Sequence, residues 1–286
     1  MGATQQLLVS YGSNFVGPLD AYASGGVEFY SIYQRLRSSF TGSLLRVRRS
    51  SDDAELDIGY GSDNKLDTAA LLAFCGASEG WVVQVMGQLN GLHLIQPSPG
   101  LQRRIVTGGV VDAFADGTPC MRATSADTQG YYTDLFTSYT GNAASIFAVG
   151  SITAGTASSA AIGALVSDAG YASWGNALGM GQQDTNQRIS SYQNGGATGI
   201  DFVFGSKHSW CVDLDGTNTH CRQGATQNTG AYTSGLSNVQ RILAAGCYQV
   251  STHQSGSSDG WQGMAVYFNT KAADQLAIMA ALEGAV

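Results

Sequence analysis

Four histidines are the first residues to consider for chemistry, because an imidazole can act as a general base or as a metal ligand. They are His93, His208, His220 and His253. No Gly-x-Ser-x-Gly elbow, P-loop or dinucleotide fingerprint accompanies them. His208 and His220 flank an Asp215-Gly216 turn and can face each other across a hairpin, but no third ligand follows at a metal-site spacing. The sequence therefore predicts no nucleophilic triad, no cofactor and no bound metal.

The carboxylates are the second group that can do chemistry. Glu79 is followed by no glutamate until Glu283, near the end of the chain. Most of the later aspartates stand beside Gly, Ser or Thr, where an aspartate usually closes a turn. A catalytic aspartate pair stays conceivable among Asp112, Asp116, Asp127, Asp134, Asp168, Asp184, Asp201, Asp213, Asp215 and Asp259.

Five aromatic residues are candidates for stacking on a sugar, because an aromatic ring with polar neighbours suits carbohydrate binding. They are Trp174, Trp210, Trp261, Tyr131 and Tyr132. The competing interpretation is that most of them belong to the core, where large aromatic side chains are usually buried.

A run of arginines could form a local phosphate patch. Arg46, Arg48 and Arg49 alternate along one short segment and precede a cluster of acidic residues at 52–57. The net charge is −7, so no overall basic footprint indicates nucleic acid as a partner. Opposite charges across a hairpin support each other, and the sequence predicts an arginine-bearing strand paired with Asp52, Asp53, Glu55 and Asp57.

The cysteines stand at 75, 120, 211, 221 and 247, with no CxxC pattern. A three-residue loop at 215–217 would place Cys211 opposite Cys221, where a disulfide is sterically possible. Buried, reduced thiols are the favoured interpretation, because the chain shows no signal peptide and is expected to be made in a reducing cytoplasm.

The first twenty residues are predicted to form an arm outside a single domain at 21–286. The arm has no charge before Asp20 and carries the apolar residues Leu7, Leu8, Val9, Tyr11, Phe15 and Val16. Strand addition to a sheet edge would supply backbone hydrogen bonds to such a segment. The sequence does not decide whether that sheet belongs to this chain or to a neighbour, and we expect the arm to mediate assembly with copies of this chain or with other proteins. No apolar run is long enough for a membrane helix, and membrane insertion is not expected.

The elements that must position these residues are mostly short strands. Gly makes up 38 of 286 residues and only 12% of residues are charged, which suits strands joined by tight turns. Apolar spacing predicts a short helix at 27–37, and a second helix is expected after Asp67 or Thr68 with Gly76 as its stop. Strands are predicted at 44–49, 54–60, 81–86, 104–114, 121–124, 145–152, 161–166, 188–192, 200–204, 209–214, 219–223 and 241–248.

This pattern predicts an all-β sandwich or jelly roll with few helices. The expected core contains Val47, Ile58, Leu72, Trp81, Val83, Val85, Ile146, Phe147, Val149, Phe202, Phe204, Val212, Leu214, Leu243, Val266 and Phe268.

Two segments resemble known families. The order of motifs at 33–42 (YQRLRSSFTG), 44–53, 66–76, 80–85 and 90–96 (NGLHLIQ) resembles the start of the catalytic domain of the arabinofuranosidase B family, a start that also occurs in bacteriophage structural proteins. Residues 261–268 (WQGMAVYF) and the segment after them look like the closing strand and small helix of laminin-G-like, concanavalin A-like domains. Both resemblances imply an antiparallel jelly-roll sandwich.

The first resemblance also implies a retaining glycosidase with a Glu nucleophile and an Asp acid/base. Retention needs two carboxyl groups about 5–5.5 Å apart, and the gap between Glu79 and Glu283 leaves no glutamate at the nucleophile's place. The family's Tyr-Asp-Gln-Ser-Gly-Asn-Gly turn departs as well, because Gly87 stands where the family has Asp and one residue is missing. Gln88, Asn90, Gly91, His93, Leu94 and Gln96 match.

Three functions follow as hypotheses. The main expectation is a bacteriophage virion protein without enzymatic activity, such as a capsid decoration, head fibre or tail component located in the virion, with a host surface glycan as a further ligand. The second is a carbohydrate-binding module. The third is a divergent glycoside hydrolase that lacks the family nucleophile.

Overall fold

The computed structural model describes residues 15–124, 129–152, 161–167, 178–182, 188–193, 196–201, 205–231, 236–245, 258–268 and 274–284. Within these ranges the chain forms one curled sheet of twenty strands and two α-helices, and every pairing between the strands is antiparallel. The predicted class, mostly antiparallel β-structure with few helices, is confirmed.

The strands of the first half are β1 (Gly26–Ser31), β2 (Leu45–Arg49), β3 (Glu55–Ile58), β4 (Gly80–Val85), β5 (Leu94–Ile95), β6 (Arg103–Thr107), β7 (Val110–Val111), β8 (Met121–Arg122), β9 (Tyr131–Thr133) and β10 (Tyr139–Gly141). Those of the second half are β11 (Ala143–Ile152), β12 (Ala161–Ser167), β13 (Leu178–Gln182), β14 (Arg188–Gln193), β15 (Gly196–Asp201), β16 (His208–Asp215), β17 (Asn218–Gln223), β18 (Thr226–Ala231), β19 (Leu236–Ala244) and β20 (Ser258–Phe268). The α-helices are α1 (Thr68–Cys75) and α2 (Gln275–Glu283).

The sheet curls until its two ends meet. From one end the hydrogen-bonded order is β18, β17, β16, β11, β20, β8, β6 and β4. It continues through β5, β9, β19, β12, β13 and β14 to β15. The side-chain amide of Asn228 on β18 donates a hydrogen bond to the carbonyl oxygen of Gly199 on β15, so the two end strands lie side by side. We call this junction the seam.

Local sequence signals place α1 and the hairpin before it as expected. The Asp67 carboxylate accepts a hydrogen bond from the backbone N–H of Ala70 at 2.9 Å, which is an N-cap contact. Gly76, with φ of 58°, ends the helix. The predicted strands at 44–49 and 54–60 are β2 and β3. They pair with each other from Leu45 opposite Ile58 to Arg48 opposite Glu55.

Two element predictions are wrong. The segment at 27–37 contains strand β1 rather than a helix, since Phe29 and Tyr30 are both fully buried on opposite faces of the sheet. A strand buried on both faces contains apolar residues at any spacing, including the 3–4 spacing of a helix. The strand predicted at 104–114 is broken by Gly108 and Gly109, which both have positive φ and turn the chain between β6 and β7.

The main core lies inside the curled sheet. Trp210, Trp261 and Tyr131 are fully buried there, among Leu, Ile and Val side chains from both halves of the chain. Most predicted core residues are buried, but Val82 rather than Trp81 and Val83 is buried on β4, because the β2–β4 pairing shifts register between Arg46 and Val47. Leu72 and Phe268 are partly buried, and Phe202 and Phe204 lie outside the described residues.

A second core cluster lies on the outer face of the sheet, under α2. Ile278 and Leu282 of α2 pack there with Phe147 of β11, and Leu19 is fully buried in the same cluster. Residue 19 therefore packs with the end of the chain, although the predicted arm includes it. In the described part of the chain, no helix is both long and apolar enough to span a bilayer.

Candidate functional site

The aromatic residues predicted to bind sugar are not brought together on an open face. Trp210, Trp261 and Tyr131 are fully buried, and their polar atoms bond inward. The Trp261 indole N–H donates to the Ile162 carbonyl at 3.2 Å, and the Tyr131 hydroxyl donates to the Val82 carbonyl at 2.7 Å. In this conformation these three rings serve the core and present no face to a ligand.

Tyr132 is partly buried beneath the Arg241 guanidinium, whose carbon lies 5.5 Å from the ring centroid. Trp174 lies outside the described residues. Of the predicted arm, Leu7, Leu8, Val9 and Tyr11 also lie outside them. The ring centroid of Phe15 lies 4.7 Å from the guanidinium carbon of Arg35 in the same chain, and Val16 is exposed.

His208 and His220 lie on opposite faces of the sheet, so the predicted facing pair is wrong. The register between β16 and β17 is offset by one residue from the expected one, since Leu214 pairs with Thr219 and not with Asn218. Nε2 of His220 bonds the Asp215 carboxylate at 2.9 Å, and Nδ1 of His208 accepts from the Gln223 amide at 2.9 Å. No group of three potential metal ligands occurs within the described ranges.

The register of the β16–β17 hairpin also decides whether Cys211 and Cys221 face each other. Cys211 pairs with Arg222, and Cys221 pairs with Val212, so the two thiols point to opposite faces. The expected opposition of Cys211 and Cys221 is wrong, and both thiols are buried and form no disulfide with each other. Reduced thiols stay a prediction for these two residues.

The arginine strand is paired with acids as predicted. Arg46 bonds Asp57, Arg48 bonds Asp53 and Arg49 bonds Asp52, each at 2.6 Å. The Arg49 guanidinium lowers the pKa of Asp52 to about 2. These ion pairs occupy the arginines, so this strand is a charged structural hairpin and not a phosphate site.

All four glutamates lie within the described residues. Glu28 is fully buried on β1 and accepts backbone hydrogen bonds from the turn at 89–92. Glu55 is exposed on β3. A carboxylate oxygen of Glu79 lies 3.7 Å from a guanidinium nitrogen of Arg104. Glu283, at the end of α2, is the one glutamate beside a described cleft.

The buried carboxylate of Glu28 explains the shape of the turn at 89–92. Burial raises the pKa of Glu28, while the backbone N–H groups of Phe29, Leu89, Leu92 and Asn90 oppose the rise. Nδ1 of His93 accepts from the backbone N–H of Gly87 at 3.1 Å. Every contact here holds backbone in place, so we assign the turn a structural role.

An open cleft of about 330 Å³ lies at the seam. We call it the seam cleft, and its walls come from β15, β17 and β18. It is lined by Gly199, Ile200, Asp201, Gln223, Thr226 and Asn228. A carboxylate, two amides and a hydroxyl are the groups that hydrogen-bond sugar hydroxyls, and both donors and acceptors are present. Asp201 is exposed and can meet a ligand.

A second cleft of about 330 Å³ runs beside α2, and we call it the helix cleft. Its lining residues are Lys207, His208, Ser209, Gln223, Gly224, Leu276, Met279, Ala280 and Glu283. Gln223 lines both clefts. Its amide is fixed, since the oxygen accepts from the Trp210 indole N–H at 3.2 Å and the nitrogen donates to His208 at 2.9 Å.

Sequence reasoning included Asp201 among many aspartates but missed Gln223, Thr226 and Asn228. No local pattern marks these three residues, because β15 reaches β17 and β18 only through the curl of the whole sheet. The hairpin ends that carry them look like ordinary turns.

The fold of the curled sheet is also found in a solved structure. The solved structure of an arabinofuranosidase complexed with arabinofuranosyl-α-1,2-xylobiose matches it with a TM-score of 0.68. The match has 17% sequence identity and covers 94% of this chain and 64% of that chain. At this identity the likeness establishes the fold.

The chain belongs to the family described as alpha-L-arabinofuranosidase B, catalytic, whose model matches residues 18–269. An alpha-L-arabinofuranosidase of Hypocrea jecorina is 34% identical over 134 residues, which are 45% of this chain and 27% of that protein. A probable alpha-L-arabinofuranosidase B of Aspergillus flavus is 32% identical over 140 residues, which are 47% of this chain and 28% of that protein. The matched segment thus spans little more than a quarter of these curated relatives.

These findings correct the main functional expectation. The prediction of a bacteriophage structural protein, with its capsid or tail role and its virion location, is wrong, because the family and the relatives named above are arabinofuranosidases. The prediction that the chain is not an enzyme is overturned by membership of a family defined by a catalytic domain. The family part of the resemblance in the first half of the chain is confirmed.

Proposed function

We propose that this domain hydrolyses α-L-arabinofuranosyl linkages. The observation that carries the proposal is the family match over residues 18–269, which includes all twenty strands of the sheet. The chain covers only part of its relatives, so the activity is inferred for the domain and not transferred from a whole protein.

Glycoside hydrolysis needs two carboxyl groups. One donates a proton to the leaving oxygen as the bond from the anomeric carbon breaks, and the other attacks that carbon or activates water. Glu28 is enclosed by backbone, Glu55 lies on the charged hairpin, and Glu79 lies beside Arg104. We therefore infer that aspartates supply at least one of the two catalytic groups.

Asp201 is the aspartate that the seam cleft favours. Its carboxylate is exposed in a cleft whose other polar groups, Gln223, Thr226 and Asn228, suit sugar hydroxyls. We assign Asp201 the role of acid/base. The partner carboxylate is sought among Asp168 and Asp184, which lie outside the described residues, and Asp259, whose side chain lies outside the description.

The experiment is release of nitrophenol from 4-nitrophenyl α-L-arabinofuranoside by the purified protein. Asp168→Asn, Asp184→Asn, Asp201→Asn and Asp259→Asn are compared with Asp134→Asn, an exposed aspartate on the loop after β9. Loss of an acid/base group lowers kcat about 10²–10⁴-fold. We expect that loss for Asp201→Asn and for one other variant, with Asp134→Asn unchanged. A wild-type protein without turnover contradicts the proposal.

A second candidate function is sugar binding without hydrolysis. It is favoured by the lining of the seam cleft, where amide and hydroxyl groups outnumber the single carboxylate. Calorimetric titration with methyl α-L-arabinofuranoside separates the two functions. Binding by a protein that shows no turnover supports this candidate, whereas turnover supports the first.

Three finer assignments belong with these proposals. We infer that the curled sheet is a concanavalin A-like, laminin-G-like jelly-roll sandwich. The meeting of its two end strands and the helix α2 on its outer face support this inference. We also propose one domain over residues 21–286, and self-association through the segment at 1–20. A glycan as partner follows only if the seam cleft binds glycan, and no nucleic acid or membrane partner is proposed.

A further inference from the structure

We propose that the helix cleft is a second sugar-binding site that adjoins the seam cleft across Gln223, so that the preferred ligand is a neutral oligosaccharide and not a single sugar. This inference rests on the proposed function for its ligand class. It adds the place of a second sugar and a dependence on ligand length.

The first observation is the shared wall. Gln223 lines both clefts, and its side chain is held by the buried Trp210 on one side and by His208 on the other. An amide has two oxygen lone pairs and two nitrogen protons, and these two contacts use one of each. A rigid amide between two clefts can therefore hydrogen-bond one ligand on both sides.

The second observation is the apolar wall of the helix cleft. Leu276, Met279 and Ala280 follow the 3–4 spacing of one helix face, so they form a continuous stripe along α2. Leu276 is 49% exposed, although its neighbours on α2 are packed in the core. One apolar wall opposite the polar His208 and Gln223 matches a sugar ring, which has an apolar C–H face and a rim of hydroxyls.

The third observation is the charge at the far end. The Lys207 ammonium donates to Asp116 at 3.0 Å, to Thr118 at 3.0 Å and to the Glu283 carbonyl at 3.4 Å. A lysine has three donors, and these contacts use all of them. The cleft thus offers no unused ammonium to an anion, which favours a neutral ligand.

The size of the two clefts agrees with this assignment. Each has a volume of about 330 Å³, close to the lower end of the range for small-molecule sites. One cleft suits a unit of about one ring, and a ligand that fills both must extend past Gln223.

The test measures affinity against ligand length by calorimetry in an Asp201→Asn background, which prevents turnover. The probes are methyl α-L-arabinofuranoside and arabinofuranosyl-α-1,2-xylobiose. Leu276→Lys places a charge on the apolar wall of the helix cleft. Leu135→Lys is the matched control, because Leu135 is 50% exposed and lies in neither cleft.

We expect the trisaccharide to bind about tenfold more tightly than the methyl glycoside. Leu276→Lys should remove that advantage and leave the affinity for the methyl glycoside unchanged, and Leu135→Lys should preserve both affinities. Equal affinities for the two probes, no binding of either, or equal losses in the two lysine variants would overturn the inference.

The outcome is separable from that of the proposed function. Wild-type turnover of the nitrophenyl arabinofuranoside without length dependence removes only the second site. Length-dependent binding that Leu276→Lys abolishes, in a protein that shows no turnover, supports the second site and removes the hydrolase.

Discussion

The carboxyl group of Glu28 occupies the space that a side chain at Gly87 would need. A Cβ atom placed on Gly87 would lie 2.6 Å from the carboxyl carbon of Glu28 and 2.6 Å from the Leu92 carbonyl oxygen. The same carboxylate accepts from the backbone N–H groups of Leu89 at 2.6 Å and Asn90 at 3.0 Å. A carboxylate from β1 thus caps the turn in the space that Gly87 leaves open.

Gly87→Ala should destabilise the protein by about 1–3 kcal/mol, since the added methyl group overpacks against a buried carboxylate and backbone. The matched control is Gly59→Ala, because a Cβ on Gly59 meets no atom within 4 Å. The measurement is the free energy of unfolding in urea. Equal unfolding free energies for the two variants would show that the turn yields easily and that the close approach is unimportant.

Stability should also depend on pH through Glu28. Burial raises the pKa of this carboxyl above its ordinary value of 4.5, against the opposing backbone N–H groups. The folded protein therefore holds the proton more tightly than the unfolded chain, and the stability gained from protonation is complete below pH 4.5 and lost as the pH rises through the folded pKa.

Glu28→Gln tests that sign. The difference in unfolding free energy between wild type and Glu28→Gln should become less favourable to wild type as the pH rises from about 4 to 7. Glu55→Gln, on an exposed strand position, is the control. A difference that moves in the opposite direction would mean that the N–H groups outweigh burial and hold the carboxyl ionised.

The four described thiols should be inert until the protein unfolds. Cys75, Cys120, Cys211 and Cys221 are all buried and form no disulfide in the structure, and burial raises the pKa of the Cys75 thiol against the opposing charge of Arg49. In a Cys247→Ser background we expect no rapid reaction with an aromatic disulfide reagent in the native state and four reactive thiols after denaturation without reductant. Two reactive thiols after denaturation would indicate a disulfide.

The ends of helix α1 were predictable from the sequence, whereas the register of strand pairing was not. The Asp67 cap and the Gly76 stop of α1 are signals contained within ten residues. The predicted Cys211–Cys221 opposition is wrong because the register of the β16–β17 hairpin is offset by one residue, and a one-residue slip moves every side chain to the other face. The helix predicted over β1 failed because Phe29 and Tyr30 are buried on opposite faces, under α2 and inside the sheet.

The seam cleft was beyond local inference for a related reason. Asp201 and Gln223 belong to strands whose contact depends on a sheet of twenty strands curling until its ends meet. The prediction of a virion protein was wrong because the lack of a glutamate between Glu79 and Glu283 was given more weight than the turn and strand motifs shared with the family. Those motifs, which position backbone, proved the better guide to the family.

The Asp116–Lys207 pair should make the end of α2 sensitive to acid. Burial raises the pKa of Asp116, but hydrogen bonds from Thr118 and Lys207 outweigh it and lower the pKa to about 2. A carboxyl whose folded pKa lies below the unfolded value of 3.8 adds stability above that value, and the stability is lost as the pH falls towards 2. The stability advantage of wild type over Asp116→Asn should therefore be present at pH 6 and vanish near pH 2.

The advantage at pH 6 should stay below about 1 kcal/mol, since half of the Asp116 side chain is exposed and solvent screens the pair. Unfolding in urea at several pH values measures it, with Asp134→Asn as an exposed control. The variant has a second consequence, because Lys207 reaches the Glu283 carbonyl at the end of α2 and lines the helix cleft. Releasing Lys207 should weaken trisaccharide binding more than binding of the methyl glycoside, and equal weakening of both would separate this ion pair from the second sugar site.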